Sequence, residues 1–84
     1  MKHASHPKIV ARLKRAHGHL GSVLAMFEEG RGCLDLAQQL HAVENAISNA
    51  KRELIHDHIE HCIDESAAGG KESLNELKQL TKYL

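Results

Sequence analysis

The sequence predicts an all-α subunit made of two long antiparallel helices and a short third helix. Apolar residues recur at alternating intervals of four and three residues along two separate segments, a spacing typical of helices that pack along a seam. Glycine pairs at 30/32 and 69/70 divide the chain into three segments, because glycine commonly ends a helix. No segment alternates apolar and polar residues as a half-buried strand would.

The first segment predicts a helix that ends at the turn over residues 28–32. Ser5 can cap its start, and Pro7 is tolerated only within a first helical turn. Gly18 and Gly21 lie inside the helix, where glycine is unfavourable, so they predict close packing at these two positions. The apolar positions of this segment are Ile9, Leu13, Ala16, Leu20, Val23 and Phe27.

The second segment predicts one long helix from Cys33 to about Ile63. No glycine or proline interrupts residues 33–68. The apolar positions of its seam are Leu36, Leu40, Val43, Ile47, Ala50 and Leu54. Ile55, Ile59 and Ile63 widen the apolar surface beyond one seam, which indicates more than one partner helix.

A short third helix is expected to follow the Gly69-Gly70 stop. It is predicted to start at about Lys71 and to present Leu74, Leu77 and Leu84 on one face.

The size and composition of the chain predict a single domain, residues 1–84, that assembles with copies of itself. Aromatic residues make up only 2% of the 84 positions, so the core is thin and aliphatic, and a domain of this size gains from burial against other subunits. Residues 1–6 are expected to form a flexible N-terminal tail. No apolar run approaches the ~20 residues that span a membrane, and no signal peptide is evident. We therefore expect a cytoplasmic protein with no membrane partner.

The stretch "HDHIEHC", residues 56–62, contains a candidate metal-binding pair. His58 and Cys62 are four residues apart, so they lie on the same face of a helix. An imidazole and a thiolate can bind one metal ion together. Two ligands are an incomplete set, and Cys33, at the predicted start of the same helix, is the third candidate.

The length of the second helix determines how these three residues can meet. Cys33 and His58 lie about 37 Å apart along a continuous helix, at 1.5 Å per residue. They cannot share a metal ion within one chain unless the helix breaks. Two antiparallel copies would bring Cys33 of one chain beside His58 and Cys62 of the other, which predicts a dimer with two symmetric sites.

Charge is distributed unevenly along this neutral chain. Residues 1–27 carry five lysines and arginines and no acid, whereas residues 32–84 carry nine acids and five basic residues. A basic first helix is consistent with either an anionic partner or a solvated helix face. His17 and His19 on this segment are expected to be solvated or to face DNA.

Three stretches, "RLKRAHGHL", "GCLDLAQQLHAV" and "LIHDHIEHC", resemble the copper- and nickel-sensing repressors of the CsoR/RcnR type. The resemblance runs without a gap from Ile9 to Cys62. It implies a three-helix subunit, a dimer of dimers, and metal held between antiparallel second helices. It also implies repression by the metal-free protein, whose binding to operator DNA is weakened by the metal.

The resemblance assigns site residues by motif. The ligand positions of the family fall on Cys33, His58 and Cys62, and a further N-terminal ligand would be His3 or, less directly, His6. An acid that supports the metal site in copper sensors matches Glu76. The tyrosine that some copper sensors carry before the first cysteine is Gly32 in this sequence.

DNA-contacting positions follow in the same way. The motifs place Arg12, Lys14 and Arg52 at the basic positions of the family, and charge alone adds Arg15. An arginine that other members carry three residues before the Arg52 position is Asn49 here.

Two thiolates and one imidazole favour Cu(I) as the ligand. With a fourth nitrogen from the N-terminal tail, the same set suits Ni(II) or Co(II).

A metal chaperone or buffer would explain the ligands but not the basic first helix. A thiol oxidoreductase would explain the cysteines but not His58. The sequence shows no acid/base pair of the kind that would indicate an enzyme. It therefore predicts a metal-responsive repressor.

Overall fold

The chain folds into a long helical hairpin followed by a short third helix. The computed structural model describes the backbone of residues 6–65 and 71–84, and side chains over residues 6–61 and 74–84. Helix α1 spans His6–Glu28, α2 spans Cys33–Glu65 and α3 spans Lys71–Leu80, with a 3₁₀ turn at Thr81–Tyr83. The described residues contain no strand. The all-α, three-helix prediction is confirmed.

The predicted boundaries agree closely with the helices. Helix α1 ends at the predicted turn, Pro7 lies in its first turn, and α2 continues two residues past the predicted Ile63. Ser5 and the predicted tail, apart from His6, lie outside the described residues. His6 is the first residue of α1. None of the helices over the described residues has both the length and the hydropathy to cross a membrane.

The core of the subunit lies between α1 and α2 and uses every second residue of each predicted seam. Buried positions recur at seven-residue intervals on both helices, with one further residue near the end of α2. They are Ile9, Ala16 and Val23 on α1, and Leu36, Val43, Ala50 and Ile55 on α2. Each interval returns to the same side of the helix after about two turns. The two helices therefore bury one narrow line of side chains against each other.

The other half of each seam remains on the surface of the subunit. We call these six residues the exposed apolar row, and between 39% and 53% of each is accessible to solvent. They are Leu13, Leu20, Phe27, Leu40, Ile47 and Leu54. Large apolar side chains exposed together on a surface typically mark a contact with another protein.

The turn between α1 and α2 is closed by a Schellman motif. The Arg31 amide donates to the Met26 carbonyl at 3.1 Å, and the Gly30 amide donates to the Phe27 carbonyl at 3.1 Å. Gly30 has a φ of 75°, which is the left-handed conformation that this motif requires. Helix α2 then starts with a bond from the Leu36 amide to the carbonyl of Gly32 at 3.0 Å.

The structure differs from one expectation about leucine and limits another about glycine. A Cβ at Gly18 or Gly21 would meet nothing within 4 Å, so these glycines do not mark close packing within the subunit. Leu84 does not lie on the face of α3, because the helix ends at Leu80. The Thr81 hydroxyl donates to the Lys78 carbonyl at 2.6 Å, a local bond of the kind that competes with helix continuation.

Candidate functional site

Cys33 is the first residue of α2 and carries an exposed, free thiol. The turn that precedes it is braced by Arg31, whose guanidinium contacts Asp35 at 3.1 Å and Glu29 at 3.2 Å. Hydrogen bonds to Asp35 and then to Glu29 raise the pKa of Arg31, so this side chain stays cationic. The helix therefore presents Cys33 at a fixed end of the hairpin.

His58 lies near the other end of α2, against α3. Its side chain is about one-fifth exposed, and its Nε2 lies 3.4 Å from Oε1 of Glu76. Glu76 is the acid that the sequence resemblance selected, and the packing of α3 on α2 brings it to His58. The structure thus joins His58 to Glu76, while the metal-binding role of the pair stays a prediction.

The structure keeps Cys33 and His58 apart within one subunit. Helix α2 runs from Cys33 to Glu65 as one element, so the two residues are separated by about 37 Å along it. Over residues 6–61 and 74–84, no three His, Cys, Asp or Glu side chains form a group that could hold a metal ion. Cys62 lies on α2 four residues after His58, but its side chain is outside the described part, as is the whole of His3.

The predicted DNA-binding residues lie on exposed positions of the hairpin. Arg12, Lys14 and Arg15 are on α1, and Arg52 is on α2. Arg12 also forms an ion pair: its Nη1 lies 2.6 Å from Oε2 of Glu53 on α2. The sequence analysis missed Glu53, because no local spacing relates residues that meet only when two helices pack antiparallel.

A groove of about 390 Å³ lies between α1 and α2 beside this ion pair. Its lining residues are Arg12, Arg15, Ala16, His19, Ala46 and Asn49. His19, which was expected to be solvated or to face DNA, contacts Oε1 of Gln39 on α2 through Nε2 at 2.7 Å. The groove therefore has arginines from α1 on one side and Asn49 of α2 on the other.

Comparison with known proteins gives a consistent set of relatives. The family model described as "Metal-sensitive transcriptional repressor" matches residues 5–83. The copper-sensing transcriptional repressor CsoR of Mycobacterium ulcerans is 34% identical over 74 residues, covering 86% of this chain and 63% of the relative. The protein of the same name from Bacillus subtilis is 32% identical over 77 residues, covering 89% and 76%. The chain thus spans a little under two thirds of the length of the mycobacterial relative.

A solved structure shares the whole fold. The nickel-responsive transcriptional regulator InrS superposes with a TM-score of 0.85 at 34% identity, covering 100% of this chain and 98% of that one. The relatives named above are all transcriptional regulators rather than enzymes, in agreement with the sequence analysis.

Proposed function

This chain belongs to the family of metal-sensitive transcriptional repressors, and from that premise we propose that it represses transcription in a metal-responsive way. The metal-free protein binds operator DNA in the cytoplasm, and it is released when Cu(I) binds between subunits. The alternative within the family is a repressor that responds to Ni(II) or Co(II).

The observation that carries this proposal is the unbroken length of α2. It places Cys33 at the first residue and His58 about 37 Å away, so the two can act together only across subunits. An antiparallel partner α2 would set its His58 and Cys62 beside Cys33 and create two equivalent sites. The exposed apolar row supports such an assembly, because six large side chains on one hairpin would be removed from water. We infer a homodimer that pairs again into a dimer of dimers.

The contact between His58 and Glu76 supports the assignment of His58 as a ligand. Histidines that bind metals usually donate their second ring N–H to a carboxylate, which fixes the tautomer and the orientation of the ring. In the subunit, Nε2 and Oε1 of Glu76 lie 3.4 Å apart as an ion-pair contact without the alignment of a hydrogen bond. If Nε2 donates to Glu76 in the assembled site, the lone pair of the ring is on Nδ1. Glu76 thus prepares His58 for coordination, with Cys33 and Cys62 as the thiolate ligands.

The donor set and the relatives together favour Cu(I). Two soft thiolates and one imidazole suit this ion, and the curated relatives from Mycobacterium ulcerans and Bacillus subtilis are named as copper-sensing. The nickel-responsive neighbour supports the alternative. In that case a fourth ligand such as His3, or His6 at the start of α1, would be expected to complete the site.

The basic residues of the hairpin supply the DNA-binding surface of the proposal. Arg12, Lys14, Arg15 and Arg52 are exposed on the two helices, and arginine and lysine contacts to phosphates dominate DNA affinity. Because α1 carries three of these residues and α2 carries the ligands, a change in how the helices lie against each other would alter both.

The decisive experiment measures operator affinity of the full chain under anaerobic conditions, without metal and with saturating Cu(I) or Ni(II). To move DNA occupancy from mostly bound to mostly free, the metal must favour the low-affinity state by ~5.5 kcal/mol, or ~10⁴-fold. We expect the cognate ion to weaken binding by a large factor, and Cys62→Ala to abolish the response while leaving metal-free binding near normal. If both ions bind tightly at Cys33, His58 and Cys62 and neither changes DNA affinity by more than a few-fold, the protein is a metal buffer instead.

A further inference from the structure

The ion pair between Arg12 and Glu53 connects the two helices of the hairpin at the groove. The Arg12 side chain is 46% exposed, whereas the Glu53 side chain is 29% exposed. Oε2 of Glu53 is covered, and its 2.6 Å contact with Nη1 of Arg12 is an ion pair without the alignment of a hydrogen bond. Glu53 is therefore the less exposed partner, and Arg12 is the partner that an anion from solvent reaches more easily. The contact uses Nη1, one end of the guanidinium fork.

Charge around this pair is strongly one-sided. Helix α1 contains no acid before Glu28, so its basic residues have no counter-ion on their own helix over that stretch. Glu53 supplies a negative charge from α2, one helical turn beyond Asn49, which lines the groove with Arg12 and Arg15. A DNA phosphate approaching this groove meets an arginine that already has an anionic partner.

We propose that Glu53 competes with a DNA backbone phosphate for Arg12 and so sets the affinity of the protein for DNA. The inference rests on the proposed function and adds a residue to it. Arginine binds phosphate best through two parallel N–H bonds, and the ion pair with Glu53 places a competing negative charge beside one end of that fork. DNA binding must therefore break the ion pair or share it, and either change reduces the net stabilisation that the phosphate provides.

A purely structural role for Glu53 would have different consequences. A partly exposed ion pair contributes little to folding, so its loss would slightly destabilise the hairpin and would not strengthen DNA binding. Removal of any negative charge near DNA would strengthen binding in general, but that effect would not depend on Arg12. If the effect of removing Glu53 on DNA affinity depends on Arg12, then Glu53 and the DNA phosphate compete for Arg12.

The test compares the full-length wild type with Glu53→Gln, Arg12→Gln and the double variant, using fluorescence anisotropy with an operator duplex over a range of salt concentrations. Glutamine keeps the shape of glutamate and removes its charge. We expect Glu53→Gln to bind the operator about two- to fivefold more tightly, which is the strength of a surface ion pair. Its salt dependence should steepen by about 0.9 for each additional phosphate that the protein neutralises. In the Arg12→Gln background, Glu53→Gln should have little effect.

Glu44→Gln is the matched control, since Glu44 is another acid of α2, highly exposed and next to His41 at 3.9 Å. It should leave operator affinity unchanged. The inference is overturned if Glu53→Gln strengthens operator binding equally with and without Arg12. It is also overturned if Glu53→Gln alone leaves operator binding unchanged or weaker while its thermal unfolding profile is unaltered. If wild-type protein itself binds no duplex, it is the proposed function that fails, and that result is read before any variant is compared.

Discussion

At the scale of single residues, the contact between His58 and Glu76 connects the candidate metal site to the third helix. Glu76 is 61% exposed and His58 is 21% exposed, so the carboxylate reaches inward to an imidazole that α2 and α3 partly cover. A carboxylate that accepts a hydrogen bond from a metal-binding histidine orients the ring, and we propose this role for Glu76.

The first prediction concerns Glu76→Gln. The neutral amide should orient His58 less strongly, and loss of such a supporting acid typically costs 10–100-fold in metal affinity or response. We expect a loss of about tenfold in Cu(I) affinity, measured by competition with a chelator, and unchanged operator binding by the metal-free protein. Gln79→Ala on the same helix is the control and should alter neither quantity. If Glu76→Gln keeps the metal affinity and metal response of the wild type, Glu76 is not part of the metal site.

The residues that sequence reasoning found and those it missed differ in the kind of information that identifies them. Glu76 was selected because a resemblance carries a residue's position across a family, even where the match contains a short gap. Its contact with His58 is observed, and its role at a metal site stays a prediction. Glu53 was not selected, because it belongs to no local motif and it meets Arg12 only when the two helices pack together. Pairings of that kind depend on the register between two helices, which the alternating pattern of apolar residues leaves open.

At the scale of the helices, the turn between α1 and α2 determines where Cys33 lies. The Schellman bonds end α1 and leave only residues 29–32, with Gly30 in the left-handed conformation, before α2 begins. The glycine spacing predicted this turn and both long helices, because helix ends depend on local chemistry. The end of α3 was not predicted, since it depends on the Thr81 hydroxyl and on the change to a 3₁₀ turn.

The second prediction compares Gly30→Ala with Gly21→Ala. Alanine at a φ of 75° incurs the left-handed penalty of L-residues, about 1–2 kcal/mol, so Gly30→Ala should lower the free energy of unfolding by that amount. Gly21 lies within a helix with nothing within 4 Å of an added Cβ, so Gly21→Ala should raise it by about 0.5–1 kcal/mol. Chemical denaturation followed by circular dichroism measures both. Destabilisation by Gly21→Ala would show that another copy of the chain packs closely there.

At the scale of the whole molecule, the hairpin leaves half of each apolar seam exposed. It extends 56 Å along its longest axis and only 13 Å along its shortest, so it encloses a single line of buried residues. The seven-residue alternation explains this: the buried half of each seam closes the hairpin, and the exposed apolar row stays on the surface, where we propose that another copy packs. The sequence showed the complete seams but could not show how they divide between contacts within the subunit and contacts beyond it.

The last prediction tests whether the metal site is built across subunits. A Cys33→Ala chain and a His58→Ala/Cys62→Ala chain, each carrying a different affinity tag, are co-assembled and purified as a mixed dimer. One site then receives Cys33 from the second chain and His58 with Cys62 from the first, while the other site lacks all three ligands. We expect half of the wild-type metal capacity in the mixed dimer and none in either variant alone. A mixed dimer without any tight site would mean that the ligands act within one chain, and that α2 bends between Cys33 and His58 instead of keeping them about 37 Å apart.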